Sequence, residues 1–573
     1  MPTPTAPGRS IRRSDFSTLA GALDFAAGQE TGVNIHSLRG ELVEVLPYSQ
    51  LREQALALAG RLLAAGLVPG DRVMMAAESD GDFLRGFFAC QYAGLAPAPC
   101  PLPAPFGGKA AYVDHLRRML ISAEVRAAFA PPAIAEWFSE AAEGLGIVRV
   151  GGLADLPATA ESRLPAPDAN GLSYLQFSSG STRFPTGVAV TQRALMANLR
   201  AIGEALSLRP DDRAVSWLPL YHDMGLVGML LCALSYQVSL DLVPTGAFVR
   251  RPTLWLDLIS QRRGTVSYAP TFGFDLATRR VGAMSPELDL GCWRVAGLGG
   301  DMIRPEPLRN FAAAFAGAGF DPGAFTASYG MAEATLALSL TPIGQGLRTD
   351  PVDMDGLERD GVAESPRAGS RRIREFALCG AALEGHQIEA RDDAGRVLAE
   401  RRVGRIFARG PSLMQAYFGA PDETAKVLSD DGWLDTGDLG YALDGQIVIT
   451  GRAKDLIIVN GRNLWPQDLE WTAEREIESL RSGDVAVFSI DPEGDAERIV
   501  ALVQCRSSDP VVRDALSSQV AALLRTRHGV EIEVAPVPPH SLPQTSSGKL
   551  SRSKARALFL EGAFRPVLAE TSA

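Results

Sequence analysis

The segment Tyr174-Leu-Gln-Phe177 is apolar and strand-like and runs directly into Ser178-Ser-Gly-Ser-Thr-Arg-Phe-Pro-Thr-Gly-Val188, a loop of small and hydroxyl side chains. Gly180 lets backbone N–H groups close on an anion. Ser178, Ser179, Ser181 and Thr182 add hydroxyls suited to phosphate oxygens or to the waters around a magnesium ion. This is the chemistry of a phosphate cradle, although the G-x-x-x-x-G-K-S/T spacing of a Walker loop is missing. On composition alone a Ser/Gly-rich turn is more often an ordinary loop.

Four further windows hold residues that chemistry could use. Pro219-Leu-Tyr-His-Asp-Met-Gly-Leu226 carries His222, and Ser328-Tyr-Gly-Met-Ala-Glu-Ala-Thr335 sets Glu333 four residues after Tyr329. Trp433-Leu-Asp-Thr-Gly-Asp438 ends on a carboxylate, and Ser546-Ser-Gly-Lys-Leu550 puts Lys549 in a glycine-containing turn. Each has a plain structural alternative: a packed histidine, a glutamate favoured at a helix start, a turn-forming aspartate, a solvated surface lysine. A serine hydrolase built on Ser181 and His222 is rejected, because the chain has no G-x-S-x-G elbow.

The elements that must position these residues alternate. Leu51 to Ala65 has apolar residues at helical spacing, Gly66 and Pro69-Gly70 stop it, and Val73 to Ala77 follows as a short strand. That rhythm implies parallel sheets covered by helices. The Pro-rich run from Ala96 to Gly108 reads as a loop, and Asp444-Gly445 between alternating apolar runs reads as a hairpin turn. Beyond Arg452-Ala-Lys454 the chain has strand signals of its own at Val485 to Ile490 and Arg498 to Cys505, with a helix from about Val512 to Arg527. The division expected is therefore 1–453 and 454–573.

At 573 residues, 46% hydrophobic and 21% charged, the chain can bury more than one core. A formal charge of -11 argues against a nucleic-acid binder. Six separated cysteines without a C-x-x-C pair read as reduced thiols of a cytoplasmic protein. The longest apolar stretch, Met224 to Leu234, is about half the ~20 residues that cross a bilayer, and reads as a buried helix.

Taken in order, the loop at 178–188 and the windows ending at Glu333, Asp438 and Lys549 resemble the ATP-binding signatures of the superfamily of acyl- and aryl-CoA synthetases, NRPS adenylation domains and luciferases. Within it the chain is most similar to fatty acyl-AMP ligases, through Pro219 to Leu226, Tyr329 to Leu336, and Lys454-Asp-Leu-Ile-Ile-Val-Asn-Gly-Arg-Asn463 followed by Pro466-Gln-Asp-Leu-Glu470. Those ligases carry an extra segment after the aromatic-Gly window, and the charge-mixed stretch Thr341 to Arg374 sits where it would fall.

The resemblance implies an α/β fold: a large N-terminal domain of parallel and mixed sheets with flanking helices and a β-barrel-like subdomain, and a small mobile α+β C-terminal domain. It implies activation of a fatty acid by ATP with magnesium, then transfer of the acyl group to a separate acyl carrier protein. Lys549 would bridge the substrate carboxylate and the α-phosphate, and Glu333 with Thr182 would hold magnesium. Ser178, Ser179, Gly180, Ser181, Thr182 and Arg183 would line the phosphates. Gly300, Asp301, Ser328, Tyr329, Gly330 and Met331 would surround the nucleotide, with Tyr329 stacked on adenine. Asp438 and Arg452 would hold the ribose, His222 would gate the acyl pocket, and Lys454 would be the hinge.

Arg183 and Thr186 replace the usual Gly and Lys of the superfamily loop, and Gly297-Leu-Gly-Gly-Asp-Met302 departs from the string expected in the subfamily. The alternatives are an acyl-CoA synthetase using free CoA and a non-catalytic relative that keeps the fold.

Overall fold

The computed structural model describes residues 12, 14–103, 108–158, 163–177, 185–283, 287–459, 461–490, 498–545 and 549–564. The helix expected after residue 50 spans Tyr48–Ala64 and buries Leu51, Ala55, Leu58 and Leu62 on one face. It ends before Gly66, whose φ of +92 is a left-handed geometry that glycine adopts without strain. The strand that follows is Arg72–Ala76.

The Pro-rich run corrects the sequence reading. Ala96–Cys100 is a fully buried strand, not a loop, parallel to Arg72–Ala76 in a four-stranded sheet with Val125–Phe129 and Arg149–Gly151. It lies at the sheet's edge in the order of strands, where Pro97 and Pro99 need no second ladder partner for the N–H they lack.

A larger sheet of nine strands holds six in parallel at its centre: Gly32–His36, Ser239–Leu242, Arg213–Ser216, Val266–Ala269, Val295–Leu298 and Phe325–Gly330. These strands are short and almost wholly buried, as parallel strands covered on both faces must be. Antiparallel strands Leu42–Pro47 and Ala337–Leu340 flank them. All six central strands point the same way, so the loops leaving their carboxyl ends gather along one rim, where open α/β sheets bind ligands.

The apolar stretch expected to be a plain buried helix is buried but wound differently. Met224–Leu231 is a π-helix and Cys232–Ser235 continues it as α-helix. Among the described residues no helix is long and apolar enough to cross a membrane.

Further along, Gln387–Arg391, Gly404–Arg409, Leu434–Leu443 and Gln446–Arg452 form a four-stranded antiparallel sheet. Where a barrel-like unit was expected, these strands close no ring among the described residues. Asp444 and Gly445 both take positive φ, +50 and +71, the geometry of the tight hairpin turn read from their types. The hairpin register sets Arg452 opposite Asp438.

The C-terminal part is a smaller α+β domain. Strands Val485–Ile490, Arg498–Gln504 and Glu533–Val537 are covered by helices Pro466–Glu476, Pro510–His528 and Arg552–Leu560, around a core including Leu469, Val487, Ala501 and Val520. The stretch 341–374 supplies strand Thr349–Asp353 and helix Met354–Asp360, and the strand pairs with Ile373–Ala377. It reaches the C-terminal domain through Glu358, which pairs with Arg372 and with Arg462 (2.6 Å), and through Arg374, 2.6 Å from Asp468.

Candidate functional site

Two neighbouring parallel strands end together at the rim. Val295–Leu298 leads into Gly299 and Gly300, and Phe325–Gly330 carries Ser328, Tyr329 and Gly330. The Ser328 hydroxyl donates to the Leu298 carbonyl at 2.7 Å and ties the two ends. Glycine is required at 330, since a Cβ there would sit 1.8 Å from the Leu336 carbonyl oxygen. Gly300 has φ +78, and a Cβ on it would press on Met224.

Tyr329 points into the antiparallel hairpin, and its hydroxyl donates to Asp438 Oδ2 at 2.8 Å with both residues buried. Arg452 Nε lies 3.4 Å from the other oxygen, Asp438 Oδ1. Burial pushes the Asp438 carboxyl above the usual carboxylate range, with Arg452, the Tyr329 hydroxyl and Lys549 pulling the other way. The Tyr329 phenol is raised well above its ordinary value, first by burial and then by Asp438.

Glu333 follows on the short turn Ala332–Ala334 and is buried. Its Oε1 accepts from the Tyr417 hydroxyl at 2.7 Å, and its carbonyl accepts from the Met414 N–H at 2.7 Å. Burial raises its carboxyl, against the Tyr417 hydrogen bond and the Arg452 charge. Among the described residues no group of three or more His, Cys, Asp or Glu could hold a metal unaided. Magnesium on a nucleotide asks for less: one or two carboxylates, with phosphates and waters filling the octahedron. A carboxylate with up to four lone-pair positions, one taken by Tyr417, suits that demand.

His222 opens the segment before the π-helix. Its N–H donates to Pro219 O at 3.1 Å, and its Nδ1 is 2.7 Å from Asp223 Oδ1. Burial works to raise the Asp223 carboxyl, but His222, Lys549 and the Met224 N–H outweigh it and hold the group below its ordinary value.

Lys549 comes from the C-terminal domain. Its loop is closed by Thr545 N–H to Lys549 O at 2.7 Å and by Lys549 N–H to Thr545 Oγ1 at 3.2 Å. Its positive charge pulls both the Asp223 and the Asp438 carboxyl downward. Three residues on, Arg552 bonds Glu470 at 2.7 and 2.6 Å and Asp455 at 3.0 Å, fixing this loop to the segment after Lys454. The Lys454 amine is lowered by burial and then by Arg452.

The fold thus gathers Lys549, Glu333, His222, Tyr329, Asp438 and Arg452, with Ser328, Gly330 and Gly300 shaping the rim. Met331 starts the Glu333 turn and bonds Leu336 O through its N–H at 2.8 Å. Asp301 is exposed and caps the N–H of Met302 at 2.8 Å, so its carboxylate is engaged in its own loop. Ser178, Ser179, Gly180, Ser181, Thr182 and Arg183 lie outside the described residues. Sequence reasoning missed Asp223 and Tyr417. The first sits beside His222, a local signal; the second is remote from Glu333 and has none.

A family model described as AMP-binding enzyme matches residues 35–418. A Caulobacter vibrioides protein provisionally named an acyl-CoA synthetase is 58% identical over 98% of this chain and 99% of its own. The medium-chain fatty-acid ligase of acyl carrier protein JamA, from Moorena producens, is 31% identical over 96% of both chains. A solved structure from work on fatty acyl-adenylate ligases of E. coli and L. pneumophila superposes with a TM-score of 0.92 at 43% identity, over 97% of this chain and 100% of the other.

Proposed function

We propose a function from the premise that this chain belongs to the AMP-binding enzyme family of ATP-dependent, adenylate-forming ligases: it activates a fatty acid to its acyl-adenylate and hands the acyl group to the phosphopantetheine thiol of a separate acyl carrier protein. The observation that carries this reading is Lys549, set by the C-terminal domain where its charge reaches both Asp223 and Asp438. A carboxylate and an α-phosphate repel each other, and a cation between them offsets that repulsion as the two reacting oxygens close.

In the step so catalysed, a substrate carboxylate oxygen forms a bond to the α-phosphorus of ATP while the bond to the pyrophosphate oxygen breaks. Lys549 neutralises charge on the approaching groups. Asp438 has two lone-pair-rich oxygens for the ribose hydroxyls, held in orientation by Tyr329 and Arg452. Tyr329 stands at the strand end where its ring would flank the adenine, with Ser328, Gly330, Met331, Gly300 and Asp301 around the nucleotide. His222, fixed by Asp223, stands at the head of the buried Met224–Leu231 segment and gates entry of the acyl chain. Magnesium, when bound, polarises the phosphates for attack. Glu333 would hold it with Thr182, and Ser178, Ser179, Gly180, Ser181 and Arg183 would take the phosphate oxygens.

We further divide the chain at 453/454. The domain 454–573 turns about Lys454 after adenylation, removing Lys549 and admitting the acceptor thiol. Six free cysteines suit a cytoplasmic enzyme. The relatives named as fatty-acid–AMP and carrier-protein ligases favour a fatty acyl chain and a protein acceptor. Free CoA is the second reading, favoured by the name of the Caulobacter protein.

Mass-spectrometric product analysis with ATP, magnesium and a panel of fatty acids, run alone, with CoA and with a phosphopantetheinylated carrier, tests this. Acyl-adenylate alone, with transfer to carrier but not to CoA, is the result expected. Acyl-CoA would move the enzyme to the second reading, and no adenylate with any fatty acid would overturn the substrate class.

A further inference from the structure

Glu333 lies on a turn of three residues, too short to hold a carboxylate still by itself. A strap from elsewhere in the chain, residues 410–418, crosses it. Met414 N–H and the Tyr417 hydroxyl bond Glu333 itself, each at 2.7 Å, on its carbonyl and on Oε1. On the far side of the turn, Thr335 Oγ1 donates to Ser412 O at 2.7 Å, and Ser412 Oγ donates to Ala334 O at 3.0 Å. His386 Nε2 lies 2.6 Å from the same Ser412 Oγ.

Two features mark this as a held arrangement and not an incidental contact. Thr335 is fully buried with φ +68 and ψ -55, a backbone conformation that a β-branched residue adopts only where its surroundings enforce it. The strap is also anchored to the strand that leaves the phosphate loop, through Gln415 N–H to Ala189 O (3.0 Å) and Phe418 N–H to Gly187 O (2.8 Å). One short segment therefore registers the Glu333 turn against the exit of the loop.

We propose that Tyr417 is a positioning residue for the reaction: its hydroxyl fixes the orientation of the Glu333 carboxylate, so that the cation meets it in one geometry. The inference rests on the reading of Glu333 as the carboxylate that meets magnesium. Tyr417 touches no reacting atom in this scheme. It acts through Glu333 alone, and Phe, which has the same shape, removes the action.

The test is binding of Mn²⁺, read by electron paramagnetic resonance, to the full chain with an ATP analogue whose α,β-bridging atom is carbon. Tyr417→Phe weakens Mn²⁺ binding about tenfold, the scale of one hydrogen bond to a charged group, with thermal stability near that of the parent. In activity assays it raises the magnesium needed for half-maximal adenylate formation and leaves the KM for the fatty acid unchanged. Glu333→Gln weakens Mn²⁺ binding at least as much, and adding Tyr417→Phe to it changes nothing more. Parental Mn²⁺ affinity in Tyr417→Phe, alongside weakened binding in Glu333→Gln, would overturn the role of Tyr417. Parental affinity in Glu333→Gln would instead overturn the reading of Glu333 on which it rests.

Discussion

The Tyr329 hydroxyl and Asp438 Oδ2 meet at 2.8 Å across 109 residues of sequence, joining the end of a parallel strand to an antiparallel hairpin. The tyrosine thereby orients a buried carboxylate. It fills one side of the Asp438 carboxylate while Arg452 approaches the other. Tyr329→Phe removes a hydrogen bond to a buried carboxylate, worth about 1.5–3 kcal/mol. The expected result is an ATP KM raised about tenfold or more with the fatty acid KM little changed, measured by pyrophosphate release. Asp438→Asn should act in the same direction, and a parental ATP KM in both variants would remove the pair from nucleotide binding.

Lys549→Ala deletes the charge that reaches both Asp223 and Asp438. Adenylate formation should slow by about 10²- to 10³-fold, the scale for loss of one charge-stabilising group. Circular dichroism and thermal unfolding should match the parent, because the lysine sits in a loop and not in the core of the C-terminal domain. An unchanged single-turnover rate would take Lys549 out of the chemistry.

Gly330→Ala tests the close approach at the rim. The added methyl would lie 1.8 Å from the Leu336 carbonyl oxygen, on backbone that cannot swing aside like a side chain. Strand Phe325–Gly330 and the Glu333 turn must separate to admit it, at a cost of about 1–3 kcal/mol. Both the melting temperature and the adenylation rate should fall. A variant with parental stability and rate would show that this backbone gives way freely.

His528 supplies a pH dependence. It is buried between domains, with Nε2 2.9 Å from Thr472 Oγ1 and Nδ1 3.4 Å from Arg372. Burial, then Arg372 and Arg462, lower its pKa from 6.5 to about 4. Between those values the unfolded chain binds a proton that the folded chain refuses, so stability present above pH 6.5 is lost as pH falls toward 4, by about 3 kcal/mol at most. Melting temperatures taken from pH 7 down to pH ~4.5 should drop less steeply in His528→Gln than in the parent. Parallel curves would mean that another group carries the acid response.

Removing Arg552 should unsettle the domain that carries the lysine. Its guanidinium is shared between the buried Glu470 and the part-buried Asp455, and stranding these carboxylates costs about 3–5 kcal/mol. Arg552→Met is expected to lower the melting temperature and to expose the C-terminal domain to limited proteolysis first. Uniform cleavage across both domains would argue against a local role.

What the sequence by itself determined were the features whose physics is local. Apolar spacing set the helix at Tyr48–Ala64 to within a few residues, Asp444-Gly445 specified its hairpin, and the order of short windows singled out Glu333, Asp438 and Lys549 as candidates that the fold then brings together. Helical period, turn conformation and motif spacing are written in neighbouring residues. Only the tertiary structure decided that Ala96–Cys100 is a buried strand despite Pro97 and Pro99, because its place at the edge of a sheet depends on its partners and not on its own types. It alone revealed the π-turns at Met224–Leu231 and the hold of Tyr417 on Glu333 across 84 residues. A hydrogen bond between distant elements is fixed by how sheets and straps stack on one another, and no window of adjacent residues contains that information.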